Sequence, residues 1–379
     1  MDKRVILAVA GSGKTYHICN SLNPEKKNLI LAFTHENIHN IVSELVKAYS
    51  KVPELTTVMT FDAFKYRFLL KPYEFSILSS YSPSIPSIKG ITTINSPKNR
   101  IIKNGKSIHN PSYINKEKIG HYITPQGYCY CDRVSELLLN SKIGKEKLLD
   151  HVSKNLNNFF DYIYIDEFQD YREYDYDLLM NIVKNCNNIL LVGDYYQHSV
   201  SGTNNSGKPF SKRKAIVPYS DFLNLLQDKK LKVDTDSLSV SRRCSSKICD
   251  FVRERLKIDI YGNSQKSGDI IIINDIELAQ RVIKNNNIIK LVYNKADKMP
   301  FNAVNWSYSK GDTLNESCVI LTNATDIILD VSKSCKEISP ITLNKLYVAL
   351  TRSSGDTYLI SSSLSKKIIC NISKKQGSR

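Results

Sequence analysis

The sequence has no long apolar run: nowhere does it approach the roughly 18 consecutive apolar residues that a membrane-spanning helix needs. Its first residues also lack the charged-then-apolar pattern of a secretory signal. Both absences lead to the expectation of a cytoplasmic protein. Cysteine is present, but not in a metal-binding arrangement. The chain has nine cysteines, an odd number, and its close pairs are Cys129 with Cys131 and Cys244 with Cys249. Neither pair has zinc-knuckle spacing, and no second pair with histidines stands at ligand distance, so free thiols in a reducing compartment are expected. No sequence repeat relates the two halves.

What is there is length, basic charge and punctuated apolar strands. A chain of 379 residues buries at least one sizeable core and is expected to form two lobes. Its net charge of +16 points to an anionic macromolecular partner, because summed lysine and arginine fields concentrate phosphate before specific contacts form. The segments "RVILAV", "NLILAF", "TTVMTF", "YIYIDE" and "NILLVG" are short apolar runs ending in polar or glycine residues, separated by helical patterns such as "ENIHNIVSELVKAY". That alternation predicts an α/β fold with parallel sheets flanked by helices. After residue 228 the pattern restarts with "SLSVSRRCSSKICDFVRERL", "DIIIIN", "IIKLVYN", "ESCVILTN" and "DTYLISS", a second α/β lobe. Within the first set of strands, residues 71–126 are rich in proline, serine, lysine and arginine and read as an insertion, either a disordered loop or a small subdomain. The basic, turn-rich stretch 201–214 reads either as a flexible surface segment or as a polyanion contact.

The strongest chemical signal is "AVAGSGKT", which follows an apolar strand. Backbone amides of Ala10, Gly11, Ser12 and Gly13 at a helix start suit phosphate oxygens, Lys14 suits the β and γ groups, and the Thr15 hydroxyl suits magnesium. A second strand ends in Asp166 and Glu167. Adjacent carboxylates there are costly unless they work or are paired. The expected roles are magnesium binding for Asp166, through its shell, and polarisation of the attacking water for Glu167.

With these two motifs placed, the chain resembles superfamily 1 helicases of the UvrD/Rep/PcrA type. The resemblance rests on eight motifs in order: "AGSGKT", "LAFTHEN", "TFDAF", "IDEFQD", "LVGDYYQ", "SRRCSS", "YSKGDT" and "LYVALTR". It implies two RecA-like lobes with ATP in the cleft between them: residues 1–70 plus 127–228 as the first, 71–126 as its basic insertion, and 229–379 as the second. It further implies that Gln197 senses the γ-phosphate and that Arg243 and Arg352 act as arginine fingers. Gly311, Thr313 and Glu316 are expected near the nucleotide sugar or its coupling to nucleic acid, and Phe33, Thr34, Thr60, Phe61 and Phe64 at a single strand. The sequence also departs from the pattern. Arg242 replaces the aromatic that stacks on adenine, and two readings stay open: its guanidinium plane stacks instead, or the change relaxes nucleotide choice. The upstream glutamine-containing segment is expected to have no counterpart, which leaves base specificity open, and Arg243 and Lys310 stand only 67 positions apart, too few for the large second-lobe insertion of relatives. The resemblance therefore implies a near-minimal ATP- and magnesium-dependent translocase or helicase on single-stranded DNA, moving 3'-to-5'. Two alternatives stay open: a nucleic-acid-stimulated regulatory ATPase paired with a protein such as a nuclease, and an RNA helicase.

Overall fold

Apolar runs bounded by glycine or polar residues become strands buried on both faces, as in Asn28–Ala32 and Ile189–Gly193, every residue of which is buried. The computed structural model describes residues 3–81, 87–198, 207–212, 215–307 and 313–377. One sheet has six strands in the order Lys232–Asp234, Arg4–Leu7, Ile189–Gly193, Tyr162–Ile165, Asn28–Ala32, Thr56–Thr60. Tyr162–Ile165 pairs in parallel with Asn28–Ala32 and with Ile189–Gly193, and Asn28–Ala32 pairs in parallel with Thr56–Thr60. A second sheet has five strands in the order Ile270–Ile273, Thr357–Ile360, Ser317–Ile320, Ile289–Val292, Ala303–Asn305, all neighbours parallel. Parallel neighbours need crossover connections, and helices such as His35–Tyr49 and Tyr174–Asn185 supply them. The expected α/β class with parallel sheets flanked by helices is what the chain adopts. In these two sheets, Lys232–Asp234 and Ala303–Asn305 are strands that the apolar pattern did not predict; each is a three-residue edge.

The chain divides into two compact units. One holds residues 1–4, 15–191 and 224–232; the other holds 5–14, 192–223 and 233–379. The core of the second unit gathers Val9, Ala10, Cys244, Tyr347 and Trp306 into one buried cluster. Trp306 is fully buried, its ring meeting Tyr293 edge-on at 5.4 Å. Within the first unit, the described part of 71–126 carries the helix Glu74–Ser79 and the strands Gly90–Thr92, Arg100–Lys103 and Lys106–His109. Glu74 closes the start of this segment: its carboxylate accepts from Lys71 Nζ at 2.6 Å, from Ser87 Oγ at 2.9 Å and from the Ile88 amide. Most of the 201–214 stretch lies outside the described residues; its strand Ser211–Lys212 pairs antiparallel with Ala215–Ile216.

Candidate functional site

The phosphate-loop residues of the second unit are held from three directions. Ala8 N–H donates to Gly193 O at 2.8 Å and Val9 N–H to Leu238 O at 3.0 Å. The Ser12 amide and hydroxyl both turn back to Val9 O, at 3.3 and 2.9 Å. Ala10 N–H donates to Tyr347 Oη at 2.7 Å, and that hydroxyl donates onward to Asp194 Oδ2 at 3.1 Å. Tyr347 and Asp194 are fully buried. Burial, reinforced by the Asp194 charge, raises the phenol far above its usual range, so it stays a neutral relay. These two residues escaped the sequence-based list although both sit inside quoted motifs, "LYVALTR" and "LVGDYYQ".

Gly11 and Gly13 have φ of +71° and +88°, where a side chain is strained. They meet a second demand as well. A Cβ on Gly11 would lie 2.7 Å from Arg243 Cβ and 2.8 Å from Ser241 Oγ, and Gly11 O accepts from the Arg242 amide at 2.9 Å. A Cβ on Gly13 would meet Arg242 at Cδ, Nε and Cζ, 3.4 to 3.6 Å away. The strand Val240–Ser245 thus runs against the loop, and the Arg242 guanidinium lies over the Gly13 backbone. The arginine that stands in the adenine-stacking position of the pattern therefore has the loop backbone as a neighbour. Arg243 donates from a terminal guanidinium nitrogen to Thr351 O at 3.1 Å, and Arg352 Nε donates to Val348 O at 3.0 Å. Arg352 is 1% exposed and Gln197 3%, the latter closing the turn Tyr195–Gln197 with its amide on Asp194 O. Gly311 lies outside the described residues. Thr313 is exposed and Glu316 half-buried, its carboxylate accepting from Tyr358 Oη at 3.4 Å.

In the first unit, the strand Tyr162–Ile165 delivers Asp166, 1% exposed, to the side chain of Thr15. Thr15 Oγ1 donates to Asp166 Oδ2 at 3.0 Å, while Asp166 Oδ1 accepts from the Glu167 amide at 2.9 Å. Glu167 holds φ +52° and ψ +44°, a left-handed conformation that costs a non-glycine residue about 1 kcal/mol. Gln169 Nε2 donates to its carboxylate. Hydroxyl and carboxylate oxygens are hard donors of the kind magnesium takes. Among the described residues no three His, Cys, Asp or Glu side chains gather as a metal cage. A magnesium ion that keeps waters and binds chiefly through substrate phosphates needs no such cage, so the residues present fit the ion. All nine cysteines are free thiols, and burial, with the Asp166 and Glu44 charges, pushes Cys19 up to about 12.

The expected strand-contact residues separate by burial. Phe33 is 41% exposed, its edge on Tyr171 at 5.6 Å. Thr34 is exposed and caps the helix His35–Tyr49, accepting from Asn37 N–H at 3.2 Å. Thr60 caps Phe61–Phe64 in the same way, through Ala63 N–H. Phe61 and Phe64 are 2% and 0% exposed and stack on one another, 6.2 Å between centroids. Beneath them lies Lys65, 1% exposed, with Asp62 at 2.8 Å and Asp175 at 3.0 Å. Burial alone lowers an ammonium pKa; here the two carboxylates outweigh it and lift Lys65 to about 12.

A family model described as an AAA domain matches residues 2–203, more than half of the 379 residues. The chain belongs to this AAA domain family. The AAA domain is of the helicase-like kind, with which nucleoside triphosphate hydrolysis goes generally. Similar solved structures include the arterivirus nonstructural protein 10 helicase with DNA, at 12% identity and TM-score 0.47, aligned over 96% of this chain and 63% of that one. The same arterivirus helicase in a structure described without DNA gives 12%, 0.46, 97% and 62%, and the PRRSV helicase 11%, 0.43, 95% and 52%. The chain therefore spans less than two thirds of the length of these structures. No curated protein matches it.

Proposed function

We propose that this AAA domain protein is an ATP- and magnesium-dependent superfamily 1 helicase or translocase of the UvrD/Rep/PcrA type, moving 3'-to-5' on single-stranded DNA. The observation that carries the reading is the Thr15 hydroxyl on the Asp166 carboxylate at 3.0 Å, directly after a glycine loop with the backbone of a phosphate cradle. Thr15 and Asp166 are the residues that hold magnesium, which when bound neutralises phosphate charge. Lys14 meets the β- and γ-phosphates. Glu167 takes a proton from the water whose oxygen attacks the γ-phosphorus, and the bridging oxygen leaves with ADP. Gln169 keeps the Glu167 carboxylate turned to that task. Gln197 reports the γ-phosphate, and Arg243 and Arg352 offset the charge that builds on the transferring group. Arg242, over Gly13, adds a cation at the phosphate end, so triphosphate charge counts for more in recognition than the base does. Phe33 and Thr34 present the exposed strand contacts, with Phe61 and Phe64 as the packing beneath.

Steady-state ATP hydrolysis by the purified chain, titrated with single-stranded DNA, duplex DNA and single-stranded RNA at one salt concentration, tests this. Stimulation by single-stranded DNA is expected, with Lys14→Ala and Glu167→Gln each lowering turnover by about a hundredfold or more and Glu167→Gln still binding ATP. Stimulation greatest with RNA reassigns the track. Hydrolysis that no nucleic acid stimulates assigns the chain to a partner-dependent ATPase instead, and turnover retained in both variants removes the site assignment.

A further inference from the structure

The nucleotide chemistry leaves one feature of the first unit unused. Strands Arg100–Lys103 and Lys106–His109 pair as an antiparallel hairpin whose eight residues are all exposed. The turn, Asn104–Gly105, has φ of +50° and +73°, the tight two-residue geometry that Asn-Gly favours. The hairpin is braced along its length. Arg100 donates to Ser107 Oγ at 2.9 Å and Ser107 O at 2.8 Å, and Asn110 Nδ2 donates to Lys98 O at 2.8 Å.

At the tip, Lys103 stands directly opposite Lys106. Like charges facing each other across a strand pair are destabilising, and a two-stranded hairpin is marginal to begin with. The surroundings do nothing to relieve this. Residues 87–126 contain seven lysines and arginines against one acidic residue, Glu117, and among the described residues none of those seven cations is in a salt bridge. Side chains alternate between the two faces, so Ile102 shares a face with Arg100, and Ile101 and Ile108 share one with the two lysines. Ile102 is 82% exposed. Each face therefore offers cations beside an apolar patch, the pairing that suits phosphates flanked by sugars and base edges.

We propose that the hairpin at residues 100–109 is a nucleic-acid-binding arm, with Lys103 and Lys106 on the phosphate backbone. The uncompensated positive charge of the whole segment selects a polyanion as occupant, and an external phosphate relieves the repulsion that the fold tolerates at the tip. The inference rests on the reading of the protein as a nucleic-acid motor.

Lys103→Glu tests it, because that change turns the like-charged pair into an opposite-charged one. The hairpin then gains a cross-strand ion pair, so weakened binding does not come from a weakened fold. A labelled single-stranded oligonucleotide is titrated with wild type and variant across a range of salt, alongside thermal melting and nucleic-acid-free ATP hydrolysis. The variant should melt no lower than wild type and hydrolyse ATP equally. Its slope of log affinity against log salt should fall by about 1.4, since both tip lysines lose their phosphates at about 0.7 each on a single strand. Wild-type binding with an unchanged slope in the variant overturns the arm. The lysines would then be guards against edge-to-edge pairing, an outcome that increased self-association of Lys103→Glu would mark. Absence of binding by the wild type overturns the arm and the motor reading together.

Discussion

The first unit keeps lysine in two opposite ways. Lys65 is 1% exposed and clasped by Asp62 and Asp175, whereas Lys103 and Lys106 stand exposed, face one another and meet no carboxylate among the described residues. A buried ammonium survives only if its charge is answered inside the protein, because desolvation costs several kcal/mol that the partners must offset. An exposed one carries no such requirement, and two of them placed opposite each other are a local cost with no internal return. Where compensation is complete, the charge maintains the fold. Where it is missing, the charge is directed outward.

The sharpest way to break the comparison is at its buried end. Lys65→Met keeps the length and apolar stem but leaves Asp62 and Asp175 facing each other without a cation. A loss of about 3 kcal/mol is expected, read as a lowered urea midpoint with an unchanged slope. The ion pair's contribution is complete below the ordinary lysine value near 10.5 and fades only as pH rises through about 12, so the loss should not vary across neutral pH. A midpoint equal to wild type would mean that Lys65 is as dispensable as a surface lysine.

The second unit offers a neutral version of the same internal compensation. Tyr347→Phe removes one hydroxyl, taking the acceptor from the Ala10 amide and one donor from Asp194, at a cost of about 2 kcal/mol. Because Ala10 opens the phosphate loop, the apparent KM for ATP should rise as well. Unchanged stability and KM together would remove the relay.

Glu74 is intermediate and should give the smallest effect. Burial raises its carboxyl, but Lys71, the Ile88 amide and Ser87 together outweigh that and hold it below its ordinary value of 4.5. A folded-state pKa depressed in this way adds stability above the ordinary value and loses it as pH falls through the lower one. Glu74→Gln should therefore cost about 1 kcal/mol at neutral pH and progressively less below pH 4.5. A difference that persists undiminished at acid pH would show that hydrogen-bond geometry, not charge, is what Glu74 supplies.

The parts legible from sequence were the local ones. Apolar runs such as "YIYI" and "ILLVG" became strands because each carries its own burial pattern, and the turn glycines of the phosphate loop are required by its backbone alone. The relay from Ala10 to Tyr347 joins residues 337 positions apart, and nothing local marks it. Lys65 was opaque for the same reason, since Asp175 lies 110 residues away. The hairpin was different. "IIKNGKSIH" carries the Asn-Gly turn between alternating residues, and the proline, serine and basic composition around it drew the eye from that signal. The packing of Arg242 was equally out of reach of the sequence: the approach of the strand Val240–Ser245 to Gly11 and Gly13 joins residues more than 200 positions apart.

Trp306 is the sole tryptophan of the chain and lies fully buried in the same core cluster as Val9 and Ala10. Its ultraviolet emission is consequently an optical label built into one unit only. Excited at the red edge of indole absorption, the protein reports the melting of that core while circular dichroism follows the helices of both units. Superimposable curves would describe one cooperative block, and displaced curves would rank the two units by their separate midpoints without any engineered dye.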